Sequence, residues 1–163
     1  MHLNSIYIIM PKQSAGILLY RIQDSKLEVF LVHPGGPYYK YKDAGAWSIP
    51  KGEYENDEEA LLAAQREFAE ETGQTISGNF IPLQTIKQKG GKLVHAWAVE
   101  GNIDADAIVS NVFEMEYPYK SGKWIEVPEV DAADWFDVAT AKIKINAAQA
   151  SMVEELVELL SNQ

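Results

Sequence analysis

The chain has 163 residues, a net charge of −10 and no cysteine. That length suits one domain around one core. The missing cysteines exclude disulfides and thiolate metal sites and fit a cytoplasmic protein. The acidic balance argues against a nonspecific grip on nucleic acid, which needs lysine and arginine against phosphate. No apolar run approaches the length of a membrane span, so no membrane partner is expected.

Residues 1–12 read as an added strand or as an extension ahead of a start at Met10, and residues 13–163 as a single domain. Ala15 to Tyr20 and Leu27 to Val32 have the composition of strands, with Gln23-Asp24-Ser25 as the turn between them. His33 at the end of the second strand is read as structural, because one histidine supplies no partner geometry. After the break at His33 to Pro37, the loop Tyr38 to Lys42 alternates aromatics with cations. Tyr39, Lys40 and Lys42 could stack a base and meet phosphate, or form an ordinary exposed loop.

The stretch from Gly52 to Gln74 is the most acidic of the chain, with Arg66 as its only basic residue. Its apolar spacing predicts a helix with Leu61, Ala64 and Phe68 on one stripe. Glu67, Glu70 and Glu71 share an adjoining face. Asn56 with Glu59 has the form of an N-cap pair, and Gly73 sits where a left-handed cap would end the helix. Two accounts of the carboxylates fit this spacing: a solvated acidic face, or a site for a hard divalent cation that prefers oxygen ligands. Arg66, four residues before Glu70, has the planar fork that orients a carboxylate.

Downstream, Phe80 to Lys87 and Leu93 to Val99 read as strands around a Lys89–Lys92 hairpin tip. Ser110 to Val130 is the least regular region. Trp135-Phe136 is read as an edge strand, followed by helical segments at Val138 to Ile143 and Ala147 to Leu160.

Gly52, Glu58 and the run Arg66-Glu67-Phe68-Ala69-Glu70-Glu71-Thr72-Gly73 resemble the signature of the Nudix hydrolases. Trp47-Ser48-Ile49-Pro50-Lys51 resembles the approach to it. Gln74 departs from the pattern, which ends on an aliphatic residue. The likeness runs from about Gln13 to Trp135-Phe136 and is closest to the bacterial branch of predicted nucleoside triphosphate pyrophosphohydrolases. It implies an α/β fold of the α-β-α sandwich type, a mixed sheet flanked by helices, with the motif at residues 52–74. It further implies metal-dependent hydrolysis of a pyrophosphate bond in a nucleoside triphosphate or a dinucleoside polyphosphate such as diadenosine tetraphosphate. Mg²⁺ is the expected cofactor, with Mn²⁺ as a substitute.

By that resemblance Glu70, Glu71 and the carbonyl of Gly52 hold metal, and Glu67 is a further ligand or the base. Lys51 meets phosphate or flanks the loop. Glu129, six residues ahead of Trp135, is placed like the distant acid many members use, with Glu114 and Glu116 as competitors. A small nucleotide is the expected partner of a monomer or homodimer. The reading from another class is a nucleotide-binding sensor that keeps the fold without turnover.

Overall fold

The structure is a computed structural model and describes residues 10–163. The strand-or-extension reading of residues 1–12 therefore lies almost wholly outside the described residues. The chain opens with a long hairpin, β1 (Gln13–Gln23) and β2 (Lys26–Pro34), turning through Asp24 and Ser25 at positive φ. β1 is central and covered on both sides, which is why it reads as a continuous apolar run. Ala15, Ile17 and Leu19 point to one core, and Leu18 and Tyr20 to the other.

β3 (Lys51–Glu53) follows, then α1 (Ala60–Thr72). Next come the short β4 (Ile81–Pro82) and β5 (Ile86–Lys87), and the long β6 (Leu93–Glu100). β7 (Val112–Glu116) and β8 (Trp124–Pro128) form a separate two-stranded ribbon. β9 (Val130–Asp137), α2 (Val138–Lys144) and α3 (Ala150–Ser161) complete the chain.

The main sheet runs β4-β6-β1-β2-β9, with β3 paired to β1 and β5 to β6. It is mixed: β1 and β6 are parallel, and the remaining pairs are antiparallel. α1 covers one face through Ala63, Ala64 and Phe68, while Ala141, Met152, Val153 and Leu156 of α2 and α3 cover the other. This is the expected α-β-α sandwich.

One feature of the sheet positions the site. β2 pairs with the C-terminal half of β1, from Tyr20 to Gln23, whereas β3 pairs with Ser14 to Gly16. Between them the chain from Ser48 to Pro50 bonds both strands: Ile17 donates to the Pro50 carbonyl at 3.0 Å, and Val32 and Ser48 exchange bonds of 2.9 Å. The segment from Ser48 to Glu53 is thus wedged into the opening between β1 and β2. The wedge is tight; a Cβ on Gly16 would lie 2.7 Å from the Pro50 oxygen and from Lys51 Cβ.

Several expectations need correction. Asn56 does not cap α1: the cap position is Glu59, without a side-chain hydrogen bond. Asn56 instead accepts a long bond from Gln13 Nε2 at 3.4 Å, so tertiary contact overrides the local motif. Phe80 to Lys87 is not one strand but two short ones, because Leu83 turns inward to the core and donates its N–H to the Ala96 carbonyl between them. The region taken as irregular contains the β7–β8 hairpin, in which Phe113, Met115, Ile125 and Val127 alternate with polar residues. The left-handed cap at Gly73 is present, with φ 73°.

Phe68 is fully buried and packs 6.1 Å from the Phe30 ring, centroid to centroid. Its truncation leaves a cavity where α1 meets the sheet. Phe68→Ala should cost about 3–5 kcal/mol in urea unfolding, whereas the exposed neighbour Leu62→Ala should cost under about 0.5 kcal/mol.

Candidate active site

α1 lies over the wedge, and Glu67 faces Gly52 directly. A Cβ at position 52 would sit 2.1 Å from the Glu67 carboxyl. Only glycine lets the helix come this close, which is a physical reason for the residue that opens the motif. Glu67 is only 7 % exposed.

Arg66 organises the carboxylates around it. Its Nε and Nη2 donate to the two oxygens of Glu58, both at 2.9 Å. Nη1 reaches Glu67 at 2.9 Å and Glu70 at 3.1 Å. Glu58 is therefore not on the helix but in the turn before it, folded back in a two-point ion pair. The guanidinium gains proton affinity, first from Glu58 and then from Glu70 and Glu67.

The carboxylates do not stay together as helical spacing alone suggests. Glu67 and Glu71 meet Glu129, with one oxygen from each within 4.8 Å of the others. Glu70 is drawn aside onto Arg66. Glu71 accepts the backbone N–H of Lys51 at 3.3 Å. The Glu129 carboxylate has no hydrogen-bond donor among the described residues. Glu114 and Glu116 lie on the β7–β8 ribbon, where Glu114 pairs with Glu126 and Glu116 accepts from Gly122 at 3.2 Å.

Glu129 is delivered by a strap that the sequence did not reveal. Val109 and Asn111 donate to the Thr72 and Glu70 carbonyls at the end of α1, each at 2.8 Å. Asn111 in turn accepts the Glu129 N–H at 2.8 Å, and Gly35 donates to the Glu129 carbonyl at 3.0 Å. The strap satisfies helix carbonyls that have no partner within the helix and fixes Glu129 relative to α1. Ser110 Oγ adds a bond, accepting the Val130 N–H at 3.0 Å; the other links are made by backbone atoms, which carry no sequence signal.

Crowding and burial shift these groups. Burial raises the proton affinity of Glu71 strongly, with Glu129 and Glu67 adding to it. Burial likewise raises Glu67, helped by Glu70 and opposed by Arg66, and raises Glu129, again with Glu70 adding. Lys51 is lowered, by burial first and then by Lys92, against the pull of Glu71. The donor set suits a hard cation: three carboxylate oxygens, no sulfur, and a spacing that a small ion would tighten.

Beside the cluster is a cavity of about 250 Å³ that Lys51, Glu71, Glu129 and Tyr39 help to line. The structure thus brings Tyr39 and Lys51 to the acids. Lys40 and Lys42 are not brought there; they flank a separate depression with His33 and Asp131. His33 links that loop to the site as a structural residue. Its Nδ1 is 2.7 Å from Asp131 Oδ1, and its Nε2 is 2.6 Å from the Lys42 carbonyl. Three carboxamides, on Gln88, Asn146 and Gln149, also line the cavity and were not singled out from the sequence.

The family model for the NUDIX domain matches residues 10–156. The fold is similar to a C. elegans Ap4A hydrolase in a binary complex, with TM-score 0.66 and 22% identity over 92% of this chain and 99% of that one. It is also similar to the NUDIX domain of Shewanella oneidensis NrtR complexed with ADP ribose, with TM-score 0.67 and 17% identity over 94% and 90% of the two chains. A third is a structure from work on MutT of Aliivibrio salmonicida and Vibrio cholerae, with TM-score 0.54 and 15% identity over 90% and 96%. No curated protein sequence matches significantly. The chain belongs to the Nudix family. Its reaction class is hydrolysis of phosphorus-containing anhydrides.

The shifted carboxylates predict how metal-free stability varies with pH. Glu67, Glu71 and Glu129 bind protons more tightly folded than unfolded. The folded state therefore loses stability as pH rises above the ordinary carboxylate range and they ionise. Below about pH 4.5 the trend reverses, because Asp43, Glu53 and Asp137 are held below their ordinary values. With chelator present, thermal unfolding should show a higher Tm at pH 5.5 than at pH 7.5, and Glu71→Gln should flatten that dependence while raising Tm at pH 7.5.

Proposed function

We propose that the chain hydrolyses a pyrophosphate bond in a nucleotide polyphosphate, either a nucleoside triphosphate or a dinucleoside polyphosphate such as diadenosine tetraphosphate. The observation that carries this reading is the convergence of Glu67, Glu71 and Glu129 beside a cavity that also exposes Lys51. Glu67, Glu71 and the Gly52 carbonyl, with Glu70 held beside them on Arg66, would hold Mg²⁺, or Mn²⁺ in its place. Such an ion, when bound, neutralises phosphate charge and lowers the pKa of water.

The chain's own groups then divide the work. Arg66 holds Glu67 and Glu70 in fixed orientation, so the carboxylates need not reorganise during the reaction. Glu67 and Glu71 are each tied to a donor, Arg66 and the Lys51 N–H. Glu129 has none among the described residues, and burial, with Glu70 adding, raises its proton affinity above that of an ordinary carboxylate. We assign it the base role, taking the proton of the attacking water on a carboxylate oxygen. Lys51 meets a phosphate oxygen as a point charge, and the Tyr39 ring offers a face to the base. Lys40 and Lys42, at the neighbouring depression, remain outside this set.

The same chemistry fits a small-molecule partner rather than nucleic acid, a monomer or homodimer, and a cytoplasmic setting. Among the described residues no helix is long and apolar enough to cross a membrane. A nucleotide sensor on the same fold would bind these ligands and release them intact. The full acidic set around Arg66 favours turnover.

A nucleotide panel with Mg²⁺, its products resolved by phosphorus NMR, tests the assignment. Hydrolysis should vanish with chelator and return with Mg²⁺ or Mn²⁺; full turnover in metal-free buffer would sink it. Glu129→Gln should lower kcat by about 10² or more with little change in KM, the scale of a lost general base. Glu114→Gln and Glu116→Gln should stay near wild type.

A further inference from the structure

Resting on the reading that Glu129 takes the proton of the attacking water, we propose that Ser110 is the positioning residue for that carboxylate. Ser110 does not line the cavity. Its hydroxyl acts on the backbone that carries Glu129.

Glu129 is the single residue between β8 and β9, so neither strand ladder includes it. The N–H groups on its two sides are held instead by one short segment. Its own N–H donates to the Asn111 carbonyl at 2.8 Å, and the following N–H, of Val130, donates to Ser110 Oγ at 3.0 Å. The hydroxyl in turn donates its O–H to the same Asn111 carbonyl at 2.9 Å. These three bonds close a ring around the Glu129 Cα, and Gly35 holds the Glu129 carbonyl from the other side at 3.0 Å. Peptide groups are planar, so holding the one before and the one after a residue leaves its φ and ψ little freedom. The direction in which the Glu129 side chain leaves the backbone follows from those two angles.

The same segment is tied to the motif helix. Val109 and Asn111, on either side of Ser110, donate to the Thr72 and Glu70 carbonyls, each at 2.8 Å. Ser110 therefore stands between the last turn of α1, which carries Glu71, and the bend that carries Glu129. The position asks for one short side chain that accepts and donates at a single atom. A hydroxyl does both. Alanine does neither, and it takes the acceptor from an N–H on Val130, a residue only 4 % exposed. Any sequence supplies the backbone bonds of the strap, so Ser110 is where the side chains of this chain enter the placement of Glu129.

The test compares wild type, Ser110→Ala and Ser110→Thr with Mg²⁺ on the fastest substrate of a nucleotide panel that includes ATP and diadenosine tetraphosphate. Ser110→Ala is also made in the Glu129→Gln background. In wild type it should lower kcat about 10-fold and leave KM within about twofold, because a displaced catalytic group costs rate rather than binding. Ser110→Thr, which keeps the hydroxyl, should restore the rate. In the Glu129→Gln background Ser110→Ala should cost nothing further, since the two residues act as one unit. Amide hydrogen exchange in the metal-free protein gives a reading that needs no turnover. Ser110→Ala should speed exchange at Val130 and also at Glu129, whose own acceptor is untouched. Wild-type kcat in Ser110→Ala, an equal loss in both backgrounds, a loss that threonine fails to restore, or unchanged exchange at Glu129 overturns the proposal. Full activity in Glu129→Gln removes the base role, and the part of Ser110 with it, while the hydrolase reading stands. If no nucleotide is hydrolysed the hydrolase reading falls, and exchange at Glu129 alone decides whether Ser110 positions it.

Discussion

The Arg66 guanidinium is the interaction on which the site depends. Glu58, Glu67 and Glu70 all bond to it, from 2.9 to 3.1 Å. Without this cation the acidic helix face would carry unrelieved like-charge repulsion. It would also carry it at the wrong end, since Glu70 and Glu71 occupy the last turn of α1 with no basic residue there. The negative end of a helix dipole disfavours further negative charge. A planar fork with five donors meets several carboxylates at defined angles, which the single ammonium of lysine cannot do. Arg66 thus neutralises part of the cluster and also decides which acids remain free, drawing Glu70 aside and leaving Glu71 and Glu129 to face the cavity.

Close approach is the second requirement. Glu67 can be buried against β3 only because residue 52 has no side chain, and β3 can reach that position only because β1 and β2 part to admit residues 48–53. Glu67 and Glu71 therefore sit on a rigid helix, and Glu129 in a one-residue bend pinned between two strands. A site that must bind a small, geometrically demanding ion benefits from ligands fixed in this way. The high proton affinities of Glu67, Glu71 and Glu129 follow from the same arrangement: the fold has concentrated charge that protons or a cation can relieve.

The cavity beside the acids joins two kinds of surface. Its charged side comes from β3, α1 and the β8–β9 bend. Its neutral polar side comes from the turn after β5 and the junction of α2 with α3. The first includes Glu71 of the motif helix and Lys51 just ahead of the motif. The second is drawn from parts of the chain outside the motif.

Much of this was legible in the amino-acid order. The β1 and β2 strands, the α1 helix, its left-handed end at Gly73 and the Arg66–Glu70 pairing all arise from residues close in sequence, where periodicity and spacing control geometry. The resemblance of residues 52–73 to the Nudix motif carried the fold. What the order could not reveal depends on contacts between distant segments. Asn56 looks like a cap but is held by Gln13. Glu70 looks equivalent to Glu71 until Arg66 and the Lys51 N–H separate them. Glu129 reaches the cluster mainly through backbone bonds of Val109 and Asn111, and backbone atoms are the same for every sequence; the Ser110 hydroxyl adds one side-chain bond to Val130. Gln88 and Asn146 come together only when β5 and α3 pack on one side of the sheet. Local order fixed which groups were present; the three-dimensional packing selected which of them share one cavity.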